Sequence, residues 1–567
     1  MHATPSEGPP LSRWEVGGLV AVLATVPWVV TWPLLPRFFT HVMAAADQEA
    51  APHIWGLWAA AQTGGALQLD TTLQGFPDGV DLVLVDPLNV LPFQLGLLGG
   101  VASAYNTVLL TGVLTMGLAG AALARVAGGS PVLGSVVAMA CPTLIANAAD
   151  GMTEGFGVGM VGLAVAALLR TRQRPQSRWW IAGGLLVGLT AWAGPYNAVW
   201  TALVGLALAV AAAIQRRGGQ LVGLFKAGLV GIFVALPVIA AIFGARDEAL
   251  PGSGSRAGLP DIVNNPEIFR GGVQTGADLL DPWLPVLLTG GQADVSHTAY
   301  LGAVVLVSAL WAVWQAPHKR WPWLAGALAF AALSLGPWLY LGGTALRVGD
   351  AALAAPAGLL TLAFPVMGRL TRWYRAGAVA TLMLAPLTST TVRQPAWMIA
   401  LCAALIADTL LLAPLAWPLH HTPLPAGSPL QDLPDQGAFL ELPPVTSAQP
   451  PPGMWRDENV LLQVMHGHPV GGSMMGLGVS PLARDGVEGL RELMRGQGFD
   501  ASLLEELRAQ GFRWVVIHTD FHPLPASSET RLRECLGQPV VHADRHRVWD
   551  LSVVPMEHRC SPSGAWP

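Results

Sequence analysis

Four arginines and no acidic residue occupy the stretch Arg170-Thr-Arg-Gln-Arg-Pro-Gln-Ser-Arg178, which separates two long apolar runs. Five short segments follow this pattern and together hold eleven Lys and Arg but no Asp or Glu: Arg125–Ser130, Arg170–Arg178, Arg216–Lys226, His318–Arg320 and Arg393–Gln394. Short loops rich in Lys and Arg stay on the cytoplasmic side of a membrane. Because the segments between them are apolar or acidic, the alternation predicts a multi-pass membrane protein with a cytoplasmic N-terminus and outside acidic loops.

The overall composition agrees with this topology. Hydrophobic residues make up 52% of the 567 residues and charged residues only 12%, which is typical of a helical polytopic membrane protein. The net charge of −5 argues against nucleic-acid binding. The sequence has no nucleotide-binding Gly-rich loop, Walker motif or serine-hydrolase elbow, so nucleotide-driven transport by this chain alone is not expected.

Apolar runs of about 20 residues predict the membrane spans. Eleven spans are predicted, at about 15–36, 103–124, 131–149, 153–170, 179–195, 197–214, 224–244, 298–316, 321–341, 376–391 and 395–416. They form a transmembrane domain, residues 1–419, with long outside loops at 37–102, 245–297 and 342–375. The stretch from His53 to Ala60 and the short apolar segments 88–100 and 354–367 cannot span and are predicted to lie at the membrane interface.

The tail, residues 420–567, has the alternating periods of a small α/β domain and is predicted to be soluble and extracytoplasmic. Its predicted elements are strands at 438–442 and 460–464, helices at 486–496 and 500–510, a buried strand from Trp514 to His518, and a closing hairpin at 540–551. In an exported tail, Cys535 and Cys560 could form a disulfide.

The first outside loop holds the main catalytic candidates, Asp47 and Glu49. A carboxylate at the membrane surface can act as a general base or bind a metal. Trp55 and Trp58 follow on one helical face and are candidate substrate contacts. The alternative is an acidic loop that is merely solvated.

Two further groups of charged residues are candidates for substrate binding. Asp150 and Glu154 are four residues apart at a helix start, where they are either functional or matched to the helix dipole. Arg369, Arg372 and Arg375 lie outside, just before the tenth span, and break the positive-inside pattern; Arg369 and Arg372 are the predicted substrate-binding residues. Arginine forks suit phosphate oxygens, so these residues bind either a lipid phosphate of the substrate or outer-leaflet headgroups.

Two other features have competing interpretations. Asp408 lies within the last span and belongs either to a proton relay or to a pair with a neighbouring helix. The histidines of the tail, among them His466, His468, His518 and His522, have spacings that suit metal ligands, but histidine is also common on exposed loops. No metal site is predicted.

Short motifs along the chain resemble the C-type (GT-C) superfamily of membrane glycosyltransferases, in particular its large bacterial branch. The matching residues are Asp47, Trp55-x-x-Trp58, Phe76-Pro-Asp-Gly79, Ala104-Tyr-Asn106, Leu123-Ala-Arg125, Tyr300-Leu-Gly302, Leu335-Gly-Pro337, the segment from Pro365 to Arg369, and Trp514-Val-Val-Ile-His518. The acidic doublet that is usual in the family is absent here.

The resemblance implies a polyprenyl-phosphate-linked sugar as donor and chemistry on the outer face of the cytoplasmic membrane. Asp47 matches the acidic catalytic position of the family, with Glu49 beside it. Some relatives need a divalent metal and others do not, so the cofactor stays open. The predicted function is therefore transfer of a sugar to an envelope glycan, lipid or protein. The alternative is a non-catalytic membrane protein for envelope polysaccharide or lipid assembly or transport.

Overall fold

The computed structural model describes residues 11–244, 277–285 and 298–554. Within these ranges the residues left undescribed are 47, 66, 176–177, 343, 365–366, 368–369, 371, 416, 426–427, 444–456, 473–478 and 498. The second predicted outside loop, 245–297, thus lies almost entirely outside the described residues.

The described part is mostly helical. In chain order, the α-helices are α1 (Arg13–Val30), α2 (Leu34–Arg37), α3 (Ala50–Thr63), α4 (Val90–Gly96), α5 (Val101–Ala127), α6 (Pro131–Met139), α7 (Pro142–Asp150), α8 (Val158–Gln173), α9 (Trp179–Trp192), α10 (Pro195–Ile214), α11 (Gly218–Gly244), α12 (Ala303–Gln315), α13 (Pro317–Ser334), α14 (Pro356–Ala363), α15 (Ala376–Thr388), α16 (Pro395–Leu412), α17 (Glu458–His466), α18 (Pro481–Arg495), α19 (Ala501–Ala509) and α20 (Ala526–Leu536).

Short strands complete the fold. They are β1 (His41–Val42), β2 (Gln68–Thr71), β3 (Val80–Val83), β4 (Tyr340–Leu341), β5 (Thr344–Ala345), β6 (Arg347–Val348), β7 (Ala351–Ala352), β8 (Thr422–Pro423), β9 (Ala438–Leu442), β10 (Phe512–His518), β11 (Val541–His542) and β12 (His546–Asp550).

Each of the eleven predicted spans coincides with described helical structure. By length and composition, seven helical segments in the described part are long and apolar enough to cross a membrane. They are Arg13–Val30, Val101–Ala127, Pro131–Asp150, Thr153–Gln173, Pro195–Ile214, Gly218–Ile242 and Pro395–Leu412. The shorter helices α9 and α12 are also apolar. The protein is therefore a helical polytopic membrane protein, while a total of eleven crossings stays a prediction.

The chain divides into two compact units, each with its own core. The first contains residues up to Ala45, 85–242 and the described residues up to Thr422; the second contains Ala46–Leu84 and the tail from Pro423. The sequence placed all of 37–102 with the membrane domain. The structure instead builds most of the first outside loop into the same unit as the tail.

Helix α5 is central in the first unit, where it packs against α6 and α8. It meets α6 at Gly120 and Gly134, where neither residue has room for a Cβ atom. Small residues let membrane helices approach this closely. The third predicted span, 131–149, is divided between α6 and α7, because Pro142 lacks an amide hydrogen and Cys141 before it adopts an extended conformation.

The basic loops come together at one end of these helices. The Ser130 amide donates to the Ser389 carbonyl oxygen at 2.9 Å, which joins the start of α6 to the end of α15. The Arg172 Nε donates to Gln220 Oε1 at 3.1 Å, which joins the end of α8 to the start of α11. The basic segments therefore lie at a shared end of the helices, as the predicted alternation requires. A functional site can form at the opposite helix ends.

Asp408 is paired with a neighbouring helix, as one of the two interpretations predicts. Its carboxylate accepts hydrogen bonds from the Tyr300 hydroxyl at 2.9 Å and from the Val304 amide at 2.8 Å. Val304 is in the first turn of α12, whose leading amides have no partner within the helix. Asp408 thus caps α12 from another span, which accounts for a buried acid without a proton relay.

The second unit has a four-stranded sheet in the order β11-β12-β10-β9. β10 pairs with β9 in parallel and with β12 in antiparallel orientation. The predicted strands 438–442 and 514–518, the two predicted helices and the closing hairpin are confirmed. Cys535 is disulfide-bonded; its predicted partner, Cys560, lies outside the described residues.

Two predictions for this unit are wrong. Residues 460–464 are helical, within α17, because a short apolar run suits a buried helix as well as a strand and Gly467 ends the helix in the left-handed conformation. The stretch 53–60 was predicted to lie at the membrane interface. In α3 every residue from Ile54 to Ala60 is buried, so the helix belongs to a protein core.

The buried His546 is expected to make the tail sensitive to acid. Burial, together with His518 and Arg545, lowers the pKa of His546 to about 3. A histidine whose folded pKa lies below its unfolded value of about 6.5 stabilises the fold fully only above pH 6.5. That stability is lost as the pH falls from 6.5 towards 3, at about 1.4 kcal/mol per pH unit.

We therefore expect the tail of the full-length protein to become more susceptible to limited proteolysis at pH 5.5 than at pH 7.5. His546→Gln should reduce this difference, because Gln does not titrate. His542→Gln, an exposed position on β11, is the matched control and should leave the difference unchanged. If His546→Gln shows the same difference in proteolysis between pH 5.5 and pH 7.5 as the wild type, His546 is not the group responsible for it.

Candidate functional site

Charged and hydroxyl side chains gather in the first unit, at the helix ends opposite the basic loops. We call this group the acid–arginine cluster; its members are Asp86, Tyr105, Asp150, Glu154, Tyr196, Arg372, Tyr374 and Arg375. They come from the segment before α4, the start of α5, the end of α7, the turn before α8, the start of α10 and the turn before α15. Residues far apart in sequence thus meet at one end of the bundle.

Arg375 is at the centre of the cluster and is 5% exposed. Its Nη2 donates to Glu154 Oε2 at 2.5 Å, and the Glu154 side chain is 20% exposed. Among the described residues, Nε and Nη1 of Arg375 have no hydrogen-bond partner. Buried polar groups are nearly always hydrogen-bonded, and these two donors can serve an acceptor in addition to Glu154.

Aromatic side chains surround this guanidinium. It lies over the Tyr196 ring, 5.0 Å from the ring centroid. The Tyr196 hydroxyl accepts a hydrogen bond from the Arg372 amide at 2.9 Å. Trp373 is fully buried, and its indole N–H also has no acceptor in the described part of the chain. The turn 373–375 therefore offers several N–H donors in a region of little water.

A buried carboxylate is fixed next to this turn. Asp86 Oδ2 accepts from the Thr153 hydroxyl at 2.5 Å and from Asn89 Nδ2 at 2.8 Å. Asn89 Nδ2 also donates to the Thr153 carbonyl oxygen at 3.1 Å. These bonds join the segment before α4 to the residue that precedes Glu154, so Asp86 holds the acidic side of the cluster in place.

The remaining acid, Asp150, is 4% exposed at the end of α7. It lies near the hydroxyls of Tyr105 and Tyr374, with which its charge interacts. Burial raises the pKa of Tyr374 to about 12, although Arg375 and Arg372 act in the opposite direction. Tyr374 therefore stays a neutral hydroxyl between the acidic and basic members.

The protonation of Arg375 follows from its neighbours. Burial acts to lower the pKa of Arg375, but Glu154 and the two tyrosines outweigh it, and the pKa is raised above the ordinary arginine value. The guanidinium is thus permanently charged. With two donors beyond Glu154, it is suited to an anionic ligand with several oxygens, such as a phosphate group.

The structure brings together three of the predicted substrate-binding residues: Asp150, Glu154 and Arg372. Asp47 and Arg369 lie outside the described residues. Glu49 is half-buried and precedes α3, and Trp55 and Trp58 are buried on α3; all three belong to the second unit. The Trp55 indole donates to Gln463 Oε1 at 2.8 Å, so its polar atom is used within the protein.

Sequence reasoning did not select Asp86, and it named Arg375 with Arg369 and Arg372 without listing it among the substrate-binding residues. Asp86 was one of several acids in a long loop, and only its contact with Thr153, 67 residues away, distinguishes it. Arg375 was visible as the third arginine of the basic cluster, six residues after Arg369. Its pairing with Glu154, across 221 residues, could not be inferred from spacing.

No group of three His, Cys, Asp or Glu side chains that could hold a metal ion is found in the described ranges. Three of the tail histidines considered as ligands, His466, His468 and His518, instead contact aromatic or acidic side chains. His466 and His468 each stack on Phe439 with ring centroids 4.5 Å apart. His518 Nε2 lies 3.3 Å from Glu441 Oε1.

Comparison of the whole fold with solved structures gives several distant neighbours. The chain is similar to the arabinofuranosyltransferase AftD from Mycobacteria, with a TM-score of 0.48 and 16% identity, over 96% of this chain and 42% of AftD. It is also similar to ArnT from Cupriavidus metallidurans, with a TM-score of 0.43 and 12% identity, over 94% of this chain and 97% of ArnT. A third similar structure is the oligosaccharyltransferase of Archaeoglobus fulgidus, with a TM-score of 0.43 and 11% identity, over 89% of this chain and 69% of that protein. No protein-family model and no curated protein matches the sequence.

Each of these likenesses is distant, with 16% sequence identity or less. Every TM-score is below 0.5, and the chain spans about two fifths of the length of AftD. The activity, donor and acceptor of this protein therefore have to be inferred from its own residues.

Proposed function

We propose that this protein is a glycosyltransferase that moves a sugar from a polyprenyl-phosphate-linked donor to an envelope glycan, lipid or protein. The observation that carries the proposal is the buried Arg375, whose Nε and Nη1 have no acceptor among the described residues. A lipid phosphate reaches a helix end at the membrane surface while its polyprenyl chain remains in the bilayer.

The proposed side of the membrane follows from charge. The basic loops lie at the helix ends opposite the acid–arginine cluster, and such loops stay in the cytoplasm. The cluster would then open towards the outer face of the cytoplasmic membrane. The acceptor would be an envelope component exposed on that face.

In the proposed reaction, an acceptor hydroxyl attacks the anomeric carbon of the donor sugar. The new carbon–oxygen bond forms as the bond from the anomeric carbon to the phosphate oxygen breaks, and polyprenyl phosphate leaves with the electron pair. Asp47 accepts the hydroxyl proton as general base, with Glu49 nearby in sequence. Arg372 and Arg375, with Arg369 before them, stabilise the charge that develops on the phosphate.

The roles of the remaining residues follow from the site. Glu154 holds the Arg375 fork in one orientation through the 2.5 Å ion pair, so that the other two nitrogens are presented together. Asp86 and Asp150 line the acidic side, where carboxylates and tyrosine hydroxyls can bind sugar hydroxyls.

The test is a transfer assay with full-length protein in lipid nanodiscs. Undecaprenyl-phosphate-linked pentoses and hexoses, each labelled in the sugar, are supplied with a cell-envelope fraction. We expect undecaprenyl phosphate to be released and the label to appear in the acceptor fraction. If none of the donors is consumed, the non-catalytic role in envelope assembly becomes the better account.

A further inference from the structure

The part of the first outside loop from Ala46 to Leu84 belongs to the same unit as the tail. Residues 73–76 pair with residues 470–472: the Gly75 amide donates to the Gly472 carbonyl oxygen at 2.8 Å, and the Phe76 amide to Val470 at 3.1 Å. The Val470 amide donates back to Leu73 at 2.9 Å. The Phe76 ring packs edge-on against Phe512 of β10, with centroids 5.1 Å apart. The loop is therefore part of the core of this unit.

One side chain connects the helical part of the loop to the tail. Gln463, on α17, is fully buried. Its Oε1 accepts from the Trp55 indole at 2.8 Å and from Gln74 Nε2 at 3.4 Å. Its Nε2 donates to the carbonyl oxygens of Leu73, in a short bond, and of His468 at 3.1 Å. A single amide thus joins α3, the segment 73–74 and the residues that follow α17.

We propose that Gln463 is a positioning residue that fixes α3, and with it the acidic start of the first outside loop. Glu49 immediately precedes α3, and Asp47 stands two residues earlier in the sequence. The tail would then have a defined role, which is to hold the segment that carries the proposed general base. That Gln463 fixes α3 is independent of the proposed function. Only the expected effect of Gln463 on turnover rests on the proposed function.

The chemistry of this position requires an amide. Only a side chain with both an acceptor and two donors can satisfy the Trp55 indole and two backbone carbonyls at once. Leucine has a similar volume, but it would leave the Trp55 indole and both backbone carbonyls without this hydrogen-bond partner in a buried site. An unsatisfied buried group costs far more than an ordinary hydrogen bond contributes, so the loss should loosen α3 locally.

The test is hydrogen exchange, followed by mass spectrometry, on the full-length protein in detergent micelles. In Gln463→Leu, the amides of α3 and of residues 73–76 should exchange about 10- to 100-fold faster than in the wild type. The amides of β10 should change much less. The control is Gln431→Leu, an exposed glutamine of the same unit, which should exchange as the wild type does.

Trp55→Phe provides a second, milder variant, because it removes the indole donor and keeps a ring in the core. If both changes break the same hydrogen bond, the exchange rate of the double variant should rise less than the product of the two single effects. Unchanged exchange of α3 in Gln463→Leu would overturn the proposal. An equal increase in α3 and β10 would also overturn it, since the residue would then stabilise the whole tail.

Turnover separates this proposal from the proposed function. If both hold, Gln463→Leu should lower kcat while the KM for the donor stays near the wild-type value, because the phosphate-binding arginines are untouched. Equal turnover in Gln463→Leu and wild type would overturn the positioning role. If the wild type transfers no sugar, the proposed function fails, and the exchange data still decide whether Gln463 fixes the loop.

Discussion

Asp47→Asn is expected to transfer sugar about 10²- to 10⁴-fold more slowly than the wild type, with little change in folding or membrane insertion. The amide keeps the size and hydrogen-bonding capacity of the carboxylate but cannot accept a proton from the acceptor hydroxyl. The rate is measured as labelled sugar transferred per unit time at saturating donor. Donor affinity should be nearly unchanged, because the base acts on the acceptor.

Asp70→Asn is the matched control, since Asp70 is an exposed carboxylate of the same outside loop. It should retain wild-type activity. Glu49→Gln tests the second candidate base; a loss in Glu49→Gln with full activity in Asp47→Asn would transfer the role to Glu49. Full activity in both variants would remove this segment from the mechanism.

The second large effect is expected at the buried ion pair. Arg375→Gln removes the guanidinium that lies 2.5 Å from the Glu154 carboxylate, in a site that is mostly closed to water. Removing one partner of a buried pair typically costs about 3–5 kcal/mol. We expect a marked drop in the thermal unfolding temperature of the purified protein. Arg393→Gln, at an exposed arginine near the opposite helix ends, should change it little.

The double variant Glu154→Gln/Arg375→Gln removes both charges and should recover much of the lost stability. If it is as unstable as Arg375→Gln alone, the two side chains are not coupled. The double variant matters for a further reason: it gives a folded protein that lacks the guanidinium, so binding can be measured without a folding defect.

Much of the membrane architecture could be predicted because it depends on local properties. Apolar length, the charge of the short loops and the positions of Gly and Pro are all readable from the chain, and the helices follow them. Even the break at Pro142 was readable in principle, since a proline cannot continue a hydrogen-bonded helix. The start of α12 was harder to predict from the sequence, because it depends on capping by Asp408, which is remote in the chain.

The site was only partly predictable, because its members meet through long-range contacts. Asp150 and Glu154 drew attention as acids at a helix end, and Arg372 as a basic residue on the acidic side. Asp86 became a site residue only through its partner Thr153, and the central place of Arg375 only through its ion pair with Glu154. The helix 460–464 and the buried α3 were misjudged for a related reason: an apolar run does not say what it packs against.

The most direct test of the account is the binding of undecaprenyl phosphate to the double variant Glu154→Gln/Arg375→Gln. The dissociation constant is measured in nanodiscs of uncharged lipid, beside wild type and Arg393→Gln. Loss of charge-assisted bonds worth about 1.5–3 kcal/mol should weaken binding by roughly 10- to 150-fold, while Arg393→Gln binds as the wild type does. Equal dissociation constants for the double variant and the wild type would contradict the assignment of Arg375 to the lipid phosphate.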